Sequence, residues 1–296
     1  MNAPMRPERL FRYYSPDPPG EPDFFTEKKL WFSSLKDFND PFDALPRFDT
    51  MLEKQKQRGI EDNFTSLLKQ SQVSPEDKPA FMKDMSQTSS DFFSWLNETT
   101  DDEHRRLVNE RYRLVCFSEN RDDLLMWGHY ARGHTGIVIE FDPKHQIFST
   151  EEFGQVDYPE TDQRPDAENL DQGKAEYWKS RHWKYEREWR LVKLATSLPP
   201  PIERHGKLKH FLELPVDSIN AVYFGWQLSP DNRAKLVESL KSPEWKDVKK
   251  FVMRPDAAKY SIQPVPFDEW LSRSKEFEEY QLALDKEIQT RTQLCA

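Results

Sequence analysis

LLMWGHYARGHTGIVIEFD, residues Leu124–Asp142, holds three of the chain's nine glycines, Gly128, Gly133 and Gly136. A short helix-like segment runs into a glycine-rich turn and then into Gly136–Asp142, where alternation sets Ile137, Ile139 and Phe141 on one face of a strand. Glycine is needed where a backbone turns sharply or approaches a ligand closely, so the stretch reads as a wall of a site. It reads equally well as a helix ending in a glycine turn before a buried strand.

Outward from this stretch, Leu10–Ser15 (LFRYYS), Lys29–Ser33 (KLWFS), Leu114–Ser118 (LVCFS), Glu188–Val192 (EWRLV) and Ile219–Gly225 (INAVYFG) are short, aromatic or β-branched runs that predict strands. Asp37–Asp43 (DFNDPFD) is a turn. Residues from about 51 to 112 change to Lys, Glu, Gln and Asp with apolar residues at helical spacing, which predicts a helical insertion. Ser229-Pro230-Asp231 supplies an N-cap and a first-turn proline for a helix carrying Ala234, Val237 and Leu240. From Asp268 the apolar spacing predicts an amphipathic C-terminal helix, the extension covering about 266–296. Strands and helices mix without a βαβ rhythm, so the expectation is a single α+β domain over residues 1–296.

Hydrophobic residues make up 36% and charged ones 32%, yet aromatics reach 13%, enough large side chains to fill a core. The net charge of −9 argues against broad non-specific binding to nucleic acid, which depends on Lys and Arg neutralising phosphate. Cys116 and Cys295 form no CxxC pair and are expected to be reduced thiols. No apolar run approaches the length that spans a bilayer, and the opening MNAPMRPERLFRYY lacks a secretory apolar stretch, so a cytoplasmic protein without membrane association is expected.

GxGxxG, P-loop, GxSxG and HExxH motifs are absent, and His129, His134 and His182 belong to no Cys/His cluster at ligand spacing, so no metal site is expected. Lys174–Lys193 (KAEYWKSRHWKYEREWRLVK) is a cationic strip with aromatic residues in an otherwise acidic chain, a composition suited to a nucleotide. Read as a strand, it sets Glu186, Glu188 and Arg190 on one face. Paired carboxylates can divide labour at a glycosidic centre, or they can be a solvated face with cross-strand ion pairs. Asn39 reads as a turn residue or as a partner for an amide ligand.

The set LFRYYS, LWFSSLKDFNDPFD, LVCFSE, LLMWGHYARGHTGIVIEFD, WKYEREWRLV and VYFG, in this order, resembles the bacterial family catalogued as domain of unknown function 2971. The order also resembles, less closely, the signature of ADP-ribosyltransferases: an early strand with Arg, a middle strand ending in Ser or a nearby Tyr, and a late Glu-x-Glu. The family's Ser-Thr-Ser triplet is absent, since Ser118 is followed by Glu119 and Asn120. The resemblance implies a split β-core, NAD as co-substrate, and Glu188, Glu186 and Arg12 as catalytic residues. Arg12, Asn39, Ser118, Tyr130 and Trp127 are the implied NAD-binding set, with Ser118 and Tyr130 as alternatives for the middle motif position. Glu188 would stabilise the developing ribose cation, Glu186 would handle the acceptor, and Arg12 would hold pyrophosphate or a ribose hydroxyl. Implied partners are a protein, DNA or RNA acceptor and an antitoxin, in the role of a bacterial toxin or an effector of defence against phage. A non-catalytic nucleotide or nucleic-acid binding module, and a nuclease or other hydrolase built on His129 and His134, are the competing readings. The transferase reading requires Arg12, Asn39, Ser118, Tyr130 and Glu188 to meet in one cleft, with Arg12 and Glu188 on the same side of the sheet.

Overall fold

The computed structural model describes residues 6–15, 24–47, 101–167, 175–204 and 206–274. Its centre is an eight-stranded sheet in the order β11-β10-β9-β4-β1-β3-β6-β5, beside a three-stranded sheet β2-β8-β7. The large sheet takes β1 (Leu10–Tyr14), β3 (Tyr112–Ser118), β4 (Ile137–Phe141), β5 (Phe153–Gln155), β6 (Glu188–Leu194), β9 (Ile219–Phe224), β10 (Lys249–Pro255) and β11 (Ile262–Pro266). The small one takes β2 (Lys29–Phe32), β7 (Ile202–Arg204) and β8 (Lys207–Glu213). All pairings are antiparallel except β9 with β10. The fold is therefore α+β, with the expected strands of the large sheet sharing it. Strands β5, β7, β8, β10 and β11 are additional to those the sequence pattern predicts.

Alternation along the strands divides the interior into two cores. Leu10, Val115, Phe117, Ile137, Ile139, Phe141, Trp189 and Leu191 fill the larger, on one face of the sheet. Phe11, Trp127, Val138, Ala221 and Tyr223 fill the smaller, on the other. Each such buried side chain contributes about 1.5–3 kcal/mol relative to exposure, and the edge-on ring packing of Phe117 against Phe141 and Phe148 adds to that.

Helix Leu124–Tyr130 begins at Asp123, whose carboxylate caps the amides of Leu125 and Met126. It leads to Gly136, where a Cβ would run into the Tyr14 carbonyl oxygen, so only glycine lets the turn close against β1. The stretch is thus both the glycine-terminated helix and, as shown below, one wall of a cavity. Helix Pro230–Ser239 starts at Ser229, whose hydroxyl caps the Asn232 amide. Residues 101–111 and 267–274 are helical; the rest of the expected insertion and of the C-terminal helix lies outside the described residues.

Candidate functional site

Strand β1 runs alongside β4 from Leu10 to Tyr14, but its register with β3 is the single pair Phe11 with Ser118. Beyond that pair the two strands separate. On the far side of the opening, Ser33 at the end of β2 exchanges backbone hydrogen bonds with Leu114 of β3. The Arg12 guanidinium fills the gap, donating to the carbonyls of Cys116 at 3.1 Å and Trp31 at 3.4 Å and lying over the Tyr14 ring. Its Nε is buried without a hydrogen-bond acceptor.

Pleat alternation sets Arg12 with Leu10 and Tyr14 on the side of the larger core, and Glu188 with Ser118 and Cys116 on the opposite side. The expectation that the two share one side of the sheet is therefore not met, and a continuous sheet would keep them apart. Because β1 and β3 part, both line one cavity of about 320 Å³, together with Asn39, Ser118, Tyr130, Lys179 and Glu186. That volume is at the lower end of small-molecule sites.

Glu186 is not on the strand, as the sequence pattern predicts, but at the end of a 3₁₀ helix, Arg181–Glu186. Arg187 follows in the left-handed region at φ 43°, a conformation that costs a non-glycine residue about 1–2 kcal/mol. This kink returns the Glu188 carboxylate to the same floor as that of Glu186. Ser118 pins it, its hydroxyl donating to the Glu186 carbonyl at 2.5 Å and accepting from the Asn120 amide at 2.9 Å.

Beneath the floor lies an ion cluster. Lys179 donates to Glu186 Oε2 at 2.5 Å and Glu188 Oε2 at 3.0 Å and stands 3.8 Å from Asp43. Arg190, 0% exposed, forks onto both Asp43 oxygens at 2.7 and 2.9 Å, onto both Glu188 oxygens at 2.8 and 3.1 Å, and onto the Glu176 carbonyl. Tyr130 donates to Glu186 Oε1 at 2.5 Å and accepts from Asn39 at 3.3 Å. Burial alone would push both Glu carboxyls up. For Glu188, Arg190 and Lys179 outweigh burial and hold it well below the usual carboxylate range, helped by the Cys116 thiol. For Glu186, burial and the Glu188 charge outweigh Lys179 and Tyr130, and the carboxyl is pushed up to about 7. Glu188 is thus the member favoured as the charged carboxylate and Glu186 the one that takes up a proton more readily.

His129, on the same helix as Tyr130, meets the Tyr185 hydroxyl at 3.1 Å and packs edge-on against Trp183, forming an aromatic rim. Trp127 does not join it. Its ring is 0% exposed in the smaller core, packed on Tyr13 and His134 with the indole N–H on the Arg121 carbonyl, about 100° round the helix from the cavity-lining Met126. Nor is the described part of the strip, residues 175–193, a run of free cations: Arg181 pairs with Asp162, Lys184 with Glu160, Lys193 with Glu152, and Lys179 and Arg190 are buried on carboxylates. The sequence pattern placed Lys179 only in the cationic strip and Asp43 only at the end of the turn DFNDPFD, with no ion pair between them and the glutamates.

Among the described residues no group of His, Cys, Asp and Glu side chains is arranged to hold a metal ion, and no helix is long and apolar enough to cross a membrane. No curated protein and no solved structure matches the chain. Residues 126–191, from the helix of Tyr130 to the strand of Glu188 and Arg190, match the family model described as Protein of unknown function (DUF2971).

Proposed function

We propose that the cavity is the active site of an ADP-ribosyltransferase-like enzyme that cleaves the nicotinamide–ribose bond of NAD and transfers ADP-ribose to a macromolecule. The observation that carries this reading is the parting of β1 from β3, which brings Arg12 and the Glu186–Glu188 pair to one cavity from opposite pleats of the sheet. The cavity volume suits a pyridine ring and its ribose, with the diphosphate reaching toward Arg12, whose fork geometry matches phosphate oxygens.

In the reaction the ribose C1′–N bond breaks and its electron pair leaves with nicotinamide, so positive charge develops on the sugar. The negative charge facing that sugar is the Glu188 carboxylate, which Arg190 and Lys179 hold in place, a preorganised electrostatic contact of the kind that dominates such catalysis. The cluster of three carboxylates and two cations carries one net negative charge only while Glu186 is also ionised. The acceptor's lone pair forms the new bond to C1′, and its proton passes to Glu186, directly or through Tyr130.

The test is incubation of the protein with NAD labelled in the adenylate phosphate and with cell extract. Release of nicotinamide together with label in a protease-, DNase- or RNase-sensitive product supports the reading and assigns the acceptor class. NAD binding without release would sink it and favour a binding module.

A further inference from the structure

Two carboxylates on one cavity floor repel each other, and burial penalises both charges, so something must settle which of them keeps its proton. The groups facing Glu186 are Lys179 from the segment before the 3₁₀ helix, Tyr185 within it, Tyr130 from its helix, Glu188 and Arg190 from β6, Tyr158 from the loop after β5, and Asp43 beyond Lys179. Of the two cations, Arg190 is committed to Asp43 and Glu188. Lys179 alone touches both glutamates, with its side chain 5% exposed and its ammonium 5.0 Å from the Trp183 ring.

We infer that Lys179 is a positioning residue whose ammonium, 2.5 Å from Glu186 and 3.0 Å from Glu188, bridges the two carboxylates and keeps Glu186 able to give up its proton beside the Glu188 anion that Arg190 fixes. This rests on the transferase reading for its catalytic meaning, though not for its measurement. A compact ammonium suits the place, since a guanidinium would need a wider, planar gap. With the ammonium removed, the Glu186 carboxyl faces Glu188 with the Tyr130 hydroxyl as its remaining side-chain hydrogen bond among the described residues. Its proton affinity must rise.

The experiment is a titration of Glu186 by NMR of glutamate side-chain carboxyl carbons, assigned with Glu186→Gln, in the ligand-free wild type and in the near-isosteric Lys179→Met. The midpoint is expected to rise by about one pH unit or more in the variant, and transfer of label to the acceptor at about pH 7 to fall about fivefold and recover in more alkaline buffer. An unchanged midpoint overturns the inference. Should Lys179→Met not fold, the wild-type Lys179 ammonium resonance decides: it must shift through the same midpoint as Glu186, and an insensitive resonance overturns the inference. A wild type that titrates as expected but releases no nicotinamide would refute the transferase reading alone.

Discussion

Replacing Arg190 by methionine removes the cation that joins Asp43 to Glu188 while keeping a side chain of similar length. The guanidinium makes two bonds to Asp43, two to Glu188 and one to the Glu176 carbonyl. Without it Asp43, itself almost fully buried, keeps only Lys179 at 3.8 Å, whereas Glu188 keeps Lys179 at 3.0 Å. Removing one partner of a buried pair typically costs about 3–5 kcal/mol, because the remaining charge is uncompensated. At about 2 cal/mol/K of unfolding entropy per residue, that corresponds to a Tm lowered by about 5–8 °C. The loss must depend on pH. Burial already pushes the Asp43 carboxyl up against the pull of Arg190, and in the variant nothing equivalent pulls back. A carboxyl with a folded pKa raised above its unfolded value loses stability as pH rises from the unfolded pKa through the folded one. The deficit relative to wild type should therefore be smallest at about pH 4 and largest above neutrality. Thermal unfolding across that range measures it. A variant within 1 °C of wild type at about pH 8, or a deficit independent of pH, would refute the assignment of Arg190 as the charge that holds Asp43 and Glu188.

For Glu186→Gln, NAD hydrolysis is expected to persist while transfer to the acceptor is lost, measured as nicotinamide release against macromolecular label. With wild-type Glu186 at about 7, transfer should rise with pH through neutrality, since the base must be ionised, and a flat profile would exclude it as the base. Arg12→Ala should raise the NAD concentration required for half-maximal release by about tenfold or more with a smaller change in kcat, since its contact is made in the ground state too. Trp127→Phe should cost stability, about 1–3 kcal/mol by denaturant titration, without changing the NAD requirement, because the ring lies in the smaller core rather than on the cavity.

The strands legible in the sequence are those whose alternation is driven by burial. Ile137, Ile139 and Phe141 of β4 and Trp189 and Leu191 of β6 all enter the larger core. Strand β10 opens on Lys249 and Lys250, β11 carries Pro264 and Pro266 at a sheet edge where missing donors cost little, and β8 alternates Lys207 and Lys209 with Leu208. Such patterns resemble loops until a partner strand is known. At the site, Arg12, Asn39, Ser118, Tyr130, Glu186 and Glu188 were readable as candidates, and they line one cavity. The kink between the glutamates was not, because Arg187 takes the left-handed conformation without the glycine that would announce it. Asp43 was not either, since its meaning comes from Arg190, 147 positions away, and no local pattern carries an ion pair of that span. Trp127 sits one position from Met126 and three from Tyr130, both on the cavity, and only the packing of the helix on Tyr13 and His134 shows that its ring turns away.

The central claim is that a charged Glu188 beside the cavity drives cleavage of the nicotinamide bond. Glu188→Gln keeps the shape and one acceptor but removes the charge that Arg190 and Lys179 surround, so it will also lower stability, and the comparison must be made well below the variant's own Tm with folding verified by circular dichroism. Nicotinamide release by wild type and variant at saturating NAD is the measurement. The account predicts turnover by the wild type and a loss of about 10²–10³-fold in the folded variant. Equal turnover by the two, or none by the wild type, would contradict it.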